Sequence, residues 1–235
     1  ITLRDCLEIY EPEIVRYLFS GTRPGAEFAI SFDLDVLKIY EDFDKCERIA
    51  FKKQEAKNDK EYQKQRRIYE LSAVDNPAKK MPFQPSFRHL TTIIQIYNGD
   101  IKKILNYYKP KTKGDIKRIT NRTNCAINWL DKYAPEDIKF KLNENVASNV
   151  KSSLKDKEKN ALLKLSYILK KKKFNEKELF NEFYTISKDI NLEPKTFFKV
   201  SYLALVNKER GPKLAPFILE IGQEKVSKIF NQLKQ

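Results

Sequence analysis

Residues Asn207–Phe230 read NKERGPKLAPFILEIGQEKVSKIF. An aromatic-rich helix ends here, and Gly211-Pro212 cannot continue it: glycine frees the backbone, and proline lacks the N–H that a helix needs. Two short apolar helices then close the sequence. The joint sets Lys208, Glu209, Arg210 and Lys213 together on a rigid corner. Cations beside rings that can stack are what a single-stranded nucleic acid requires. Outward from this corner the helical period recurs, so the stretch argues for a mainly α chain built of short helices.

The 235 residues are 41% hydrophobic and 12% aromatic, enough for a core in one or two domains. The net charge of +14 is uneven. Residues 1–50 hold 6 Lys/Arg against 11 Asp/Glu, a net of −5, and the remainder carries +19. That asymmetry suggests one end that meets protein and a larger body that meets a polyanion. Lysine outnumbers arginine 36 to 10, and such a mixture also arises when lysines merely solvate helix faces. The arginines are the better guides, because guanidinium suits phosphate.

Nothing resembles a membrane span or a signal peptide. Cys6, Cys46 and Cys125 are scattered and odd in number, which fits a reducing cytoplasm and indicates neither a disulfide framework nor a zinc cluster. Ile1 is not an initiator and the sole methionine is Met81, so the sequence reads as cut from something longer.

Thr2 and Asp5 have capping-box spacing for a first helix, and Pro12 opens a second. Phe28, Ile30 and Phe32 alternate as in one short strand, and Asp33 caps an acidic helix. Residues 52–66 read as an exposed helix or a mobile connection, and Ile68–Ala73 as briefly extended. Three prolines place the strongest internal boundary in 74–86. After it every segment reads as a helix, with a second loose connection, and a sub-boundary, near 141–157. Asn175 and Glu178 form another capping box. Short joints between amphipathic helices imply antiparallel neighbours in a bundle or cage.

No catalytic constellation emerges and no metal ligand set is expected: His89 is alone, the glycines are scattered, and the paired carboxylates suit a solvated helix face. The basic candidates are stronger. Arg118 and Arg122 stand i,i+4, one to two turns before Trp129 and Tyr133, although Trp129 reads equally as core. Lys170 and Lys171 belong to a lysine run at a helix end, which either completes the helix dipole or contacts phosphate. Phe197 and Tyr202 lead to Lys208, Arg210 and Lys213, and at least one of these rings should pack inside.

FSGTRPGAEFAISFDLDVLKIYEDFDKCERIAF, Phe19–Phe51, resembles the segment that follows the catalytic domain in class I lysyl-tRNA synthetases. The resemblance rests on Thr22-Arg23-Pro24, Ile30-Ser31-Phe32 and Tyr40-Glu41-Asp42-Phe43-Asp44. PSFRHLTTIIQIYNGDIKKIL and the closing GPKLAPFILEIGQEKV are similar to that family's later blocks. The resemblance implies a C-terminal region in two parts: a small stem-contact region, 1–73, with one short strand, then an all-α anticodon-binding helical cage, 74–235. It implies tRNA-Lys and a missing N-terminal catalytic domain as partners. The intact enzyme would be a lysine–tRNA ligase using ATP and Mg, in the cytoplasm. Neither the HIGH nor the KMSKS-type motif is present, so the fragment itself should hold no cofactor and be inactive alone. A monomer is expected, since no long exposed heptad asks for a partner. The tRNA-binding residues expected from the placement of these cations and rings are Arg118, Arg122, Trp129, Tyr133, Lys170, Lys171, Phe197, Tyr202, Lys208, Arg210 and Lys213. The alternatives are a helical protein-interaction scaffold and a sequence-blind RNA-binding domain.

Overall fold

The structure, a computed structural model, describes residues 2–23 and 25–234, so Pro24 of the expected Thr22-Arg23-Pro24 turn lies outside the described residues. The chain forms two compact units, Ile1–Pro135 and Glu136–Gln235. Among the described residues all regular structure is helical.

The first unit holds α1 (Leu3–Ile9), α2 (Pro12–Gly21), α3 (Asp35–Ala50), α4 (Asp59–Ser72), α5 (Phe87–Ile96), α6 (Ile101–Tyr108) and α7 (Lys113–Lys132). Local chemistry starts these helices as the sequence suggests. Thr2 and Asp5 form a reciprocal capping box, Pro12 occupies the first turn of α2, and the Asp100 side chain accepts from Lys103 N. Thr112 and Asp115 cap α7 in the same reciprocal way. In the core the Tyr40 and Phe87 rings stack with centroids 3.8 Å apart, and Tyr40 Oη donates to Ile9 O at 2.9 Å.

Two local expectations are corrected. Residues 28–32 form no strand, because no second strand lies beside them to complete a ladder. Side chains satisfy their carbonyls instead: Tyr10 Oη donates to Ser31 O, and Trp129 Nε1 donates to Phe32 O at 3.0 Å. Ile68–Ala73 is not extended either; α4 continues through Ser72. The Asn58 side chain caps its start by accepting from Glu61 N at 2.9 Å, and buried Ile68 anchors its inner face.

The prolines of 74–86 interrupt the helices, yet compaction does not divide there. Gln84 Nε2 donates to Asp44 O at 2.9 Å and to Glu47 Oε2 at 2.8 Å, tying the segment back to α3. Pro85 O accepts from Arg122 Nη1 at 2.7 Å, tying it to α7. The first compact unit therefore runs past the expected 73/74 break to Pro135.

The second unit contains α8 (Ser148–Ser153), α9 (Asp156–Lys171), α10 (Glu176–Ile190), α11 (Pro194–Val206), α12 (Leu214–Ile221), α13 (Gln223–Asn231) and a closing 3-10 turn. Helices α9 and α13 approach closely through small residues. Ser166 Oγ donates to Ser227 O at 2.8 Å, and Ser227 Oγ donates to Ser166 O at 2.6 Å, so both buried hydroxyls are satisfied. The 141–157 connection is pinned at two points: Asn143 N donates to Leu205 O at 2.7 Å, and Val146 N donates to Gln232 Oε1 at 3.0 Å. Asn175 and Glu178 close the expected capping box of α10.

The first unit depends on one ionic cluster. Arg122, wholly buried, donates through Nε to Glu11 Oε2 at 2.7 Å and through Nη1 to Asp44 Oδ2 at 3.0 Å. One turn earlier, Arg118 pairs with Glu11 at 3.0 Å and Glu47 at 3.4 Å. Burial pushes the Asp44 carboxyl up to about 6 against the pull of Arg122 and Arg118. Burial also works against the Arg122 cation, but Glu11 and Asp44 outweigh it and hold its pKa above the ordinary value. Removing one partner of such a cluster strands the others. Arg122→Ala should therefore lower the stability of the first unit by about 3–5 kcal/mol. A urea unfolding curve checks this, and a loss below about 1 kcal/mol would contradict the cluster's structural role.

Candidate nucleic-acid interface

Burial divides the sequence-derived candidates. Arg118 and Arg122 face inward, neutralised by Glu11, Asp44 and Glu47, so neither guanidinium is presented to a strand. Trp129 is wholly buried against Phe87, and Phe197 is wholly buried against Phe183. Arg122, Trp129 and Phe197 are therefore core, and Arg118 is part-buried with a 14% exposed side chain. Tyr133, on the first unit, is 39% exposed and packs on Phe32 with centroids 4.8 Å apart. Of the eleven acidic residues in 1–50, Glu11, Asp44 and Glu47 are paired within the unit.

The remaining candidates lie on the second unit. It carries 21 Lys/Arg against 13 Asp/Glu, a net of +8, and its one arginine is Arg210. Lys170 and Lys171 are exposed at the end of α9, and Lys171 Nζ lies 4.2 Å from the centroid of the exposed Tyr167 ring. Arg210 has an 82% exposed side chain, 3.8 Å from the exposed Asp137 carboxylate. Lys208 Nζ donates to Glu136 O. Both cations therefore sit beside the start of this unit.

Tyr202 fixes the joint. A Cβ added at Gly211 would lie 3.0 Å from Cδ1 and Cε1 of the Tyr202 ring, a tight contact that the ring would have to relieve by a few tenths of an ångström. The ring's hydroxyl donates to Pro212 O, and burial pushes its pKa up to about 12, which keeps the donor proton in place at neutral pH. Asn207 ends α11 in the left-handed region at φ 54°, and α12 restarts at Leu214.

The clamped joint forms one wall of an open groove of about 630 Å3. Phe180, Phe198 and Tyr202 line it together with Glu176, Lys177, Lys213 and Leu214–Pro216. Phe180 and Tyr184 are each 46% exposed, stand i,i+4 on α10, and meet edge-to-face at 5.2 Å. Tyr184 also packs on Phe198 at 6.2 Å. The arrangement can take a planar ring against aromatic faces while lysines neutralise an adjoining phosphate. Phe180 and Tyr184 were not among the sequence-derived site residues. Their signal was local: two rings four apart, off the buried Leu179–Phe183–Ile186 stripe of α10.

The family described as tRNA synthetases class I (K) matches residues 1–75. The lysine–tRNA ligase of Borreliella burgdorferi is 46% identical over 231 residues, covering 97% of this chain and 44% of the relative. That of Treponema pallidum is 41% identical over 98% of this chain and 44% of the relative. The enzyme of Thermococcus kodakarensis is 34% identical over 97% and 44% respectively. By sequence, this chain is similar over nearly all of its own length to part of the class I lysine–tRNA ligases. It spans less than half the length of these relatives, and the likeness continues through both compact units.

The clustered carboxylates Glu11, Asp44 and Glu47 are paired with two guanidiniums, and among the described residues no group of three or more His, Cys, Asp or Glu is placed to hold a metal ion. Among the described residues, no helix is long and apolar enough to cross a membrane.

Gly211→Ala provides a test of the joint. The new methyl must displace a ring held at its far end by Pro212 O, so stability should fall by about 1–3 kcal/mol. Thermal and urea unfolding should both register the loss. An unchanged midpoint would mean that the joint yields without resistance and does not hold the groove wall.

Proposed function

We propose that this chain is the C-terminal, tRNA-recognising portion of a cytoplasmic class I lysine–tRNA ligase. The intact enzyme would attach lysine to tRNA-Lys with ATP and Mg, and the chemistry would reside in a catalytic domain outside this chain. The observation that carries the reading is the groove at the Gly-Pro joint, an aromatic-walled recess lined also by Lys177, Lys213 and one carboxylate, Glu176, on a basic helical unit. Unstacked bases suit such a surface at about 1–3 kcal/mol per stacked base, and the surrounding lysines would follow the anticodon stem through phosphate contacts. Tyr167, Lys170, Lys171, Arg210 and Lys213 supply exposed rings and cations for that track. The first unit, stiffened by its ionic cluster, would serve as the stem-contact and domain-docking part. No residue here is assigned to adenylate formation or lysine transfer.

Titration of the chain with tRNA-Lys and with an anticodon-substituted tRNA-Lys, each at two salt concentrations, separates the alternatives. Anticodon recognition predicts weaker binding of the substituted tRNA and a steep loss of affinity with salt for both. Equal binding of the two would leave a sequence-blind RNA-binding domain, and no binding would favour a helical scaffold. Within the same assay, Arg210→Ala should weaken tRNA binding and flatten the salt dependence, with the melting temperature nearly unchanged, because the side chain is exposed and its one partner is a surface carboxylate. A large fall in melting temperature would make Arg210 structural instead.

A further inference from the structure

A second recess lies at the other end of the α10 ring row. It measures about 590 Å3 and is lined by Tyr184, Ser187, Lys188, Asn191, Leu192, Glu193 and Pro194. Three features distinguish it from an ordinary dent between helices. Ser187 is buried at 2% exposure, yet its hydroxyl has no hydrogen-bond partner, unlike the buried hydroxyls of Ser166, Ser201 and Ser227 in the same unit. A buried hydroxyl left unsatisfied is costly and uncommon, so the group calls for a donor or acceptor from outside the fold. The Tyr184 ring stands at the rim, 46% exposed and held edge-on by Phe180 and Phe198. Asn191 turns the chain in the left-handed region at φ 53°, which brings residues 191–194 back past the end of α10 as the far wall.

The charges at the mouth specify the ligand class. Lys188 and Glu193 contribute one of each sign, so the recess offers no net attraction to a phosphate. A ring for stacking, a neutral hydroxyl and an amide suit a nucleobase edge. We infer that this recess is a second base-binding subsite, taking one unstacked nucleobase between Tyr184 and the 191–194 wall with Ser187 Oγ hydrogen-bonded to its edge. The inference rests on the RNA-binding reading of the joint groove. It extends that reading to a two-site platform along α10, with Phe180 and Tyr184 forming the partition between the two recesses.

Ser187→Ala isolates the subsite, because it removes only the unpartnered hydroxyl. In the full chain, titrated with a tRNA-Lys transcript, the variant should bind about three- to tenfold more weakly, the value of one neutral hydrogen bond. Its salt dependence should match the wild type, since no phosphate contact is lost. Its melting temperature should hold or rise, because no partner within the protein is stranded. Tyr184→Leu, which removes the ring from the rim, should also weaken binding without altering the salt dependence. If the wild-type chain binds the transcript and Ser187→Ala binds equally well, the hydroxyl serves at most a water molecule and the second subsite is refuted while the joint groove stands. Absence of wild-type binding overturns both readings. A fall in the melting temperature of Ser187→Ala would show that the hydroxyl is paired inside the protein, and would overturn the inference as well.

Discussion

A guanidinium buried among carboxylates organises the first unit. Arg122 reaches Glu11 at the start of α2, Asp44 in the middle of α3 and the carbonyl of Pro85, so one side chain closes three separate stretches on α7. It also lies over the Tyr40 ring at 5.1 Å, and Tyr40 in turn stacks on Phe87. Such a cluster is costly to bury and tolerates few alternatives, so it specifies an arrangement more than it adds net stability. Two of this unit's arginines are thereby turned inward, while Arg66, Arg67 and Arg88 keep exposed side chains paired with glutamates.

In the second unit a different constraint operates. The approach of Gly211 to the Tyr202 ring, closed by the hydroxyl of Tyr202 on Pro212 O, converts a potentially mobile joint into a wall. Opposite it, α10 uses its Leu179–Phe183–Ile186 stripe for the core and leaves Phe180 and Tyr184 half-exposed. An exposed ring costs little when it is isolated, but a row of rings beside lysines is the composition of a stacking platform. The rigidity of the joint and the exposure of the row belong together, since a platform orders a strand only if its own parts are already ordered.

The sequence disclosed what is decided locally. The capping pairs Thr2/Asp5 and Asn175/Glu178, the proline that opens α2 and the joint at 211–212 all depend on neighbours within a turn, and all appear as read. The expected strand at 28–32 did not form, because a ladder requires a second strand that no local pattern reveals. The i,i+4 spacing of Arg118 and Arg122 correctly placed them on one face. What that face meets lies far away in the chain, with Glu11 111 residues from Arg122 and Asp44 78, and periodicity carries no information about the sign of such a partner. Burial of Trp129 and Phe197 follows from the same non-local packing. Phe180 and Tyr184 are the reverse case: their spacing was visible, but only the arrival of Phe198 and the joint beside them gives that spacing a purpose.

The central claim is that the exposed rings of α10, and not the arginine–tryptophan face of α7, meet RNA. Hydroxyl-radical footprinting of the chain with and without saturating tRNA-Lys tests it residue by residue. The account predicts that tRNA strongly reduces labelling of Phe180 and Tyr184, while Trp129, already shielded in the core, is weakly labelled in both states. Unchanged labelling of Phe180 and Tyr184 under saturating tRNA-Lys would contradict it.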